Sequence, residues 1–225
     1  MKKNLIVFDI DGTIADTSEQ HHLAFRKALK EAGAKKFDQD FSVFRHYTDS
    51  YISKTILEKD LDLLFNIDQQ KAFEQIIVDE LKNQEIKPIL GAIEFVKKVE
   101  ESTTFAYCFA TGAFRKPAKL KLDQLGVPHK RQQLVACNQY HSREQIVAKA
   151  IENAKKIYGV DEFENVISIG DGVWDFKAAQ SLGLQFVGIG KENKDALLML
   201  GATKHYNHFQ NLKLNDLMEE ELPSD

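Results

Sequence analysis

Asp9 and Asp11 stand two positions apart, directly after the apolar run at residues 5–8 in the stretch LIVFDIDGTIADT. Carboxylates that close repel each other, and the usual resolutions are to protonate one or to share both with a cation. Asp171, in ISIGDGVWDF, follows a second apolar run, with Asp175 four residues later. Thr111 and Gly112 follow a third run, FAYCFA, and offer a hydroxyl and a bare backbone that can approach an anion. In HSREQIVAKA, Ser142 and Gln145 have the spacing of a capping box, which puts Arg143 in the first turn of a helix. A cation there opposes the helix macrodipole and is better placed against an anion than in solvent. Each position also has a plain structural reading: a polar turn at residues 9–12, an ordinary strand end at Thr111, and a cap at Asp175 for a helix beginning near Phe176. Taken together they describe a Mg2+ and phosphate site, because a hard cation takes oxygen ligands and phosphate needs positive charge and hydrogen-bond donors.

Such residues can meet only if the fold brings several strand ends together. Apolar, β-rich runs recur at residues 5–8, 105–110, 133–136, 166–169 and 186–189, with amphipathic helical patterns between most of them. Continuous apolar strands of this kind predict an α/β fold, a doubly wound parallel sheet covered on both faces. Ligands of such sheets gather outside the carboxyl ends of the strands, where the residues named above fall. The interval from about residue 15 to 87 breaks the rhythm: residues 19–33, 49–65 and 69–84 read as helices with no strong strand between them. It is expected to be a helical cap at residues 16–87, inserted into a core domain of residues 1–15 and 88–225, with Pro88 and Gly91 marking the return. The acidic tail, residues 217–225, is expected to fray.

With 225 residues, 43% of them hydrophobic, the chain can bury one good-sized core plus a smaller satellite. Thirty Lys and Arg against 34 Asp and Glu leave a net charge of −4 with no basic stripe, which argues against nucleic acid and favours a small ligand. The first apolar run is too short for a signal peptide or a membrane span. Cys108 and Cys137 read as buried free thiols, suited to a reducing cytoplasm.

The sequence resembles the haloacid dehalogenase superfamily, specifically its phosphatase branch with a helical cap, similar to phosphoglycolate phosphatases and β-phosphoglucomutases. DIDGT at residues 9–13, ATG at 110–112, Arg143 and GDGVWD at 170–175 match its four motifs over nearly the whole chain. The third motif departs from the usual Lys, with Lys149 as the fallback cation. The resemblance implies that Asp9 is a nucleophile forming an aspartyl-phosphate and that Asp11 is a general acid and base, protonated at the start. It also implies that Asp9, Asp11 (through its backbone carbonyl) and Asp171 hold Mg2+, that Asp175 is a further ligand or orients the third-motif cation, and that Thr111, Gly112 and Arg143 bind the phosphoryl group. The implied substrate is a small phosphorylated metabolite. His21 resembles a substrate-side histidine of sugar-phosphate enzymes, or is simply solvated; Arg45, His46, Tyr47 and Lys54 either touch substrate or face water. Two rival readings share the motifs: a sugar phosphomutase and a non-catalytic phospho-receiver.

Overall fold

The computed structural model describes residues 2–218. Six parallel strands form one sheet in the order β3-β2-β1-β4-β5-β6: β1 (Asn4–Phe8), β2 (Phe105–Ala110), β3 (Leu134–Val135), β4 (Asn165–Gly170), β5 (Gln185–Ile189) and β6 (Lys204–Tyr206). Every residue of β1 and β2 is buried, as central strands covered on both faces must be. Side chains alternate between the faces: Leu5, Val7, Ala106 and Cys108 join one apolar cluster, and Ile6, Phe8, Tyr107 and Phe109 join the other. Helix α6 (Arg143–Tyr158) covers the first face through Ile146, Val147, Ala150 and Ala154. Helices α4 (Ala92–Glu101) and α5 (Arg115–Gln124) cover the second through Phe95, Val96, Ala118 and Leu122. Helix α7 (Val173–Ser181) follows β4, and the short α8 (Lys194–Met199) follows β5. Cys108 and Cys137 are buried and free. Among the described residues, no helix is long and apolar enough to cross a membrane.

Between β1 and α4 the chain runs through α1 (Ser18–Glu31), α2 (Asp49–Leu61) and α3 (Ile67–Leu81). It leaves and returns side by side: the Asp16 N–H donates to Lys87 O at 2.8 Å, the Ile89 N–H donates to Ile14 O at 2.9 Å, and Ala15 bridges Pro88. Phe25, Leu29, Ile52, Ile56, Phe73 and Ile77 from these helices continue the cluster on the α6 face of the sheet. Helix α2 stops at Leu61, short of the expected residue 65, because Asp62 turns left-handed with φ 52°. Strand β6 was not expected, since three half-buried residues, KHY, carry no apolar run. All but the first two residues of the acidic tail expected to fray lie outside the described residues.

Candidate active site

Strand order reverses at β1, with β2 on one side and β4 on the other, so loops leaving these neighbours open a crevice at their carboxyl ends. Asp9 sits one residue beyond β1, its N–H donating to Ile169 O at 2.9 Å, and Asp171 sits one residue beyond β4. Gly12 allows the close approach: its φ is +76°, and a Cβ there would lie 2.2 Å from Asp171 Oδ2. Oxygens of Asp9, Asp171 and Asp175 all lie within 4.8 Å of one another. Asp9 thus meets a pair of acids more than 160 residues further along the chain.

Arg143 is the counterweight. Its Nη1 donates to Asp9 Oδ1 at 2.7 Å and lies 3.3 Å from Asp175 Oδ1, with all three side chains less than one-tenth exposed. Ser142 caps α6 by accepting from the Gln145 N–H, which fixes Arg143 in the first turn and lets it reach back to the acids. Burial would lower the guanidinium, yet Asp175 and Asp9 more than offset this and keep it charged. Lys149 instead pairs with Glu152 on its own helix at 2.8 Å and does not join the cluster. Asp175 differs from expectation in one respect: α7 begins at Val173, so Asp175 stands in its first turn and reaches back to accept the Gly172 N–H at 3.1 Å while facing Arg143.

Thr111 is buried, and its Oγ1 accepts from the Ala113 N–H at 3.1 Å, which leaves its hydroxyl hydrogen for another acceptor. A Cβ on Gly112 would lie 2.7 Å from the Tyr47 carbonyl oxygen and 3.0 Å from Arg143 Nε, so glycine lets the backbone pass between them. Arg143 Nε and Asp9 Oδ2 are both buried without a hydrogen-bond partner. A donor and an acceptor left open at the same place, where nearly all buried polar groups are paired, fit a bound anion and a bound cation.

Electrostatics point the same way. Burial raises the Asp9, Asp171 and Asp175 carboxyls; mutual repulsion adds to this, and Arg143 opposes it. One guanidinium cannot neutralise three carboxylates, and an all-oxygen set of hard donors suits a divalent ion such as Mg2+.

The Asp11 carboxylate belongs to a different network. It accepts from Lys121 Nζ at 2.5 Å and from the Thr17 hydroxyl at 2.5 Å. Lys121, on α5, has no exposed side-chain surface and also lies 3.0 Å from His21 Nδ1. His21 Nε2 in turn meets Asp49 Oδ2 at 3.0 Å, and the Asp49 carboxylate accepts the Phe114 N–H. Burial alone would raise Asp11, but Lys121 and His21 outweigh it and hold the group well below the usual carboxylate range. Asp11 is therefore ionised here and not protonated as expected, because a buried ammonium lies against it. His21 is buried, not solvated.

Asp11, His21, Asp49 and Asp171 line a cavity of about 260 Å³, whose walls also include Thr111, Gly112, Arg143 and, from the helical insertion, Phe41, Tyr47 and Thr48. Tyr47 stacks on Trp174, with ring centroids 3.8 Å apart and planes 8° from parallel. Arg45, His46 and Lys54 do not line the cavity.

The family model for haloacid dehalogenase-like hydrolases matches residues 6–189. The chain belongs to the haloacid dehalogenase-like hydrolases. Within that family it is similar in structure to CbbY from Rhodobacter sphaeroides in complex with phosphate, at 18% identity and a TM-score of 0.73, covering 97% of this chain and 100% of that one. The same CbbY, as a mutant in complex with xylulose-(1,5)bisphosphate, matches at 18% identity and 0.73, covering 96% and 99%. A family IA, variant 3 hydrolase from Entamoeba histolytica matches at 19% identity and 0.70, covering 96% and 97%. All of these likenesses show the haloacid dehalogenase-like fold.

Proposed function

We propose that this hydrolase is a Mg2+-dependent phosphatase of a small phosphate monoester, with residues 16–87 forming a cap over the site. The observation that carries the reading is the convergence of Asp9, Asp171 and Asp175 on one point with Arg143 beside them. CbbY, similar in fold, is known in complex with phosphate and with a sugar bisphosphate, which agrees with phosphoryl chemistry at this strand end. Two buried free thiols suit a reducing cytoplasm.

Asp9 attacks phosphorus, the bond to the leaving oxygen breaks, and an aspartyl-phosphate forms. Asp11 gives its proton to the leaving oxygen, then takes one from the water that cleaves the intermediate, which releases inorganic phosphate and restores Asp9. The ionised Asp11 of this structure is the form that accepts the proton from water; donation requires its contact with Lys121 to open. Thr111, the Gly112 amide and Arg143, which line the cavity, hold the phosphoryl oxygens. Asp9, the Asp11 backbone carbonyl and Asp171 would hold Mg2+, with Asp175 as a further ligand or as the group that orients Arg143; the ion would offset the repulsion between the Asp9 carboxylate and the phosphate. His21 braces the substrate wall through Asp49 and Lys121.

The test is phosphate release from a panel of phosphorylated metabolites and p-nitrophenyl phosphate, with Mg2+ and with chelator. Asp9→Asn is expected to reduce turnover at least about a thousandfold while circular dichroism stays unchanged. Full turnover in that variant, or in chelator, discards the reading.

A further inference from the structure

Beyond the phosphoryl end, the cavity is short of positive charge. Arg143 is the only Lys or Arg among the described residues that line it, and Asp9 and Asp175 already engage it. Asp49 is taken by His21 and the Phe114 N–H, and Asp11 by Lys121. Asp171 is set aside for the cation, and among the described residues two further lining carboxylates, Asp40 and Glu192, have no cationic partner within salt-bridge distance. Asp40 is exposed and accepts from the Ser42 N–H at 2.8 Å and from its hydroxyl at 2.7 Å, and Glu192 is exposed at the mouth. Arg26 lies over the Phe41 ring and acts on Asp40 only through space, with less effect than the hydrogen bonds from Ser42, and it is not part of the lining. The groove that continues past Ser18 and Asn193 carries Lys191, but also Asp16, Glu19 and Glu192.

The remaining walls are neutral. Tyr47 donates to or accepts from His22 Nε2 at 2.7 Å, and burial, reinforced by His21, lowers His22 to about 4, so it is uncharged at pH 7. Phe25, Phe41 and Ile52 give apolar surface, and Ser42, Thr48 and Asn193 give polar groups without charge. A second phosphate or a carboxylate placed here would lose its water and meet carboxylates with no cation to receive it.

We propose that the substrate of this site is a monophosphate whose leaving group is neutral or cationic, and that Asp40 and Glu192 turn away leaving groups that carry a second anion. This rests on the phosphatase reading above. By the same reasoning a sugar bisphosphate is disfavoured, since its second phosphate would meet no Lys or Arg among the described lining residues beyond Arg143.

Three esters of similar size separate the charge of the leaving group from its bulk: glycerol 3-phosphate (neutral), phosphoethanolamine (cationic) and 3-phosphoglycerate (anionic), with p-nitrophenyl phosphate as the reference. The kcat/KM for 3-phosphoglycerate is expected to fall about tenfold or more below that for glycerol 3-phosphate. In Asp40→Asn/Glu192→Gln that ratio is expected to narrow by several-fold; Asn caps a helix as well as Asp does, so the change removes charge and keeps the turn. If p-nitrophenyl phosphate is hydrolysed and 3-phosphoglycerate is as good a substrate as glycerol 3-phosphate, or the double variant leaves the ratio unmoved, the proposal is overturned and the phosphatase reading stands. If no ester releases phosphate, the phosphatase reading fails and this proposal falls with it.

Discussion

Lys121 Nζ lies 2.5 Å from Asp11 Oδ1, an ammonium with no solvent exposure set against a carboxylate at the cavity wall. A buried lysine keeps its charge only with a partner of this kind, and the partner is equally dependent on it. Lys121→Met keeps the bulk and deletes the charge, so Asp11 keeps Thr17 as its hydrogen-bond donor and loses its nearest cation. The expected loss is about 3 kcal/mol of unfolding free energy at pH 7. The sign follows from linkage: without the ammonium, burial raises Asp11 above its unfolded value, so the variant's deficit grows as pH rises and shrinks as Asp11 protonates. Chemical denaturation at pH 5 and pH 8 checks this, and a deficit that is larger at pH 5 contradicts it. In kinetics, the limb of the pH–rate profile that requires protonated Asp11 is expected to move to higher pH.

Mg2+ is expected to stabilise the protein more at pH 8 than at pH 5. Burial first, then mutual repulsion, raises Asp9, Asp171 and Asp175, the last to about 7. Their folded values lie above the unfolded carboxylate range near 4, so the cation-free folded state binds more protons, and its stability falls as pH climbs through this window. A cation that binds the ionised cluster removes that penalty, so the rise in Tm between chelator and Mg2+ widens with pH. His22 titrates in the opposite sense as pH falls from about 6.5 towards 4, but it is present in both arms and cancels. Differential scanning fluorimetry from pH 5 to 8 measures the gain; a flat or narrowing difference counts against the cation. Asp9→Asn is expected to shrink the gain.

Arg143→Ala and Lys149→Ala are expected to part company completely. Arg143 bridges Asp9 and Asp175 with all three buried, so its removal leaves unpaired charges and costs about 3 kcal/mol or more, with phosphate turnover lost. Lys149 pairs only with Glu152 along its own helix, and its loss is expected to leave kcat and KM as they are. Equal effects of the two substitutions would return the third-motif role to question.

What the sequence made legible divides along a physical line. Asp9, Asp11 and Asp171 are conspicuous because a carboxylate directly after a buried strand has few structural uses, and the parallel sheet follows from apolar runs too continuous for one-sided burial. Lys121 was not found. In RKPAKLKLDQ it reads as one of several solvated lysines, yet it stands three residues after Ala118 and one before Leu122, on the buried side of α5. That position on the helical wheel was the available signal. Asp49 was hidden for a related reason, because an acid in the first turn of a helix is what the macrodipole favours anyway. Trp174 stood in view within GDGVWD, but its partner Tyr47 is 127 residues distant and comes from a different helical layer, a pairing that no local pattern encodes.

The stack of Tyr47 on Trp174 has a practical consequence. The chain contains one tryptophan, and it stands in the first turn of α7, against Tyr47 of the helical insertion. Its emission is therefore a built-in optical gauge of whether those two parts are in register. Separation of the rings would expose the indole to water and shift its fluorescence to the red, so stopped-flow mixing can time the opening without any label.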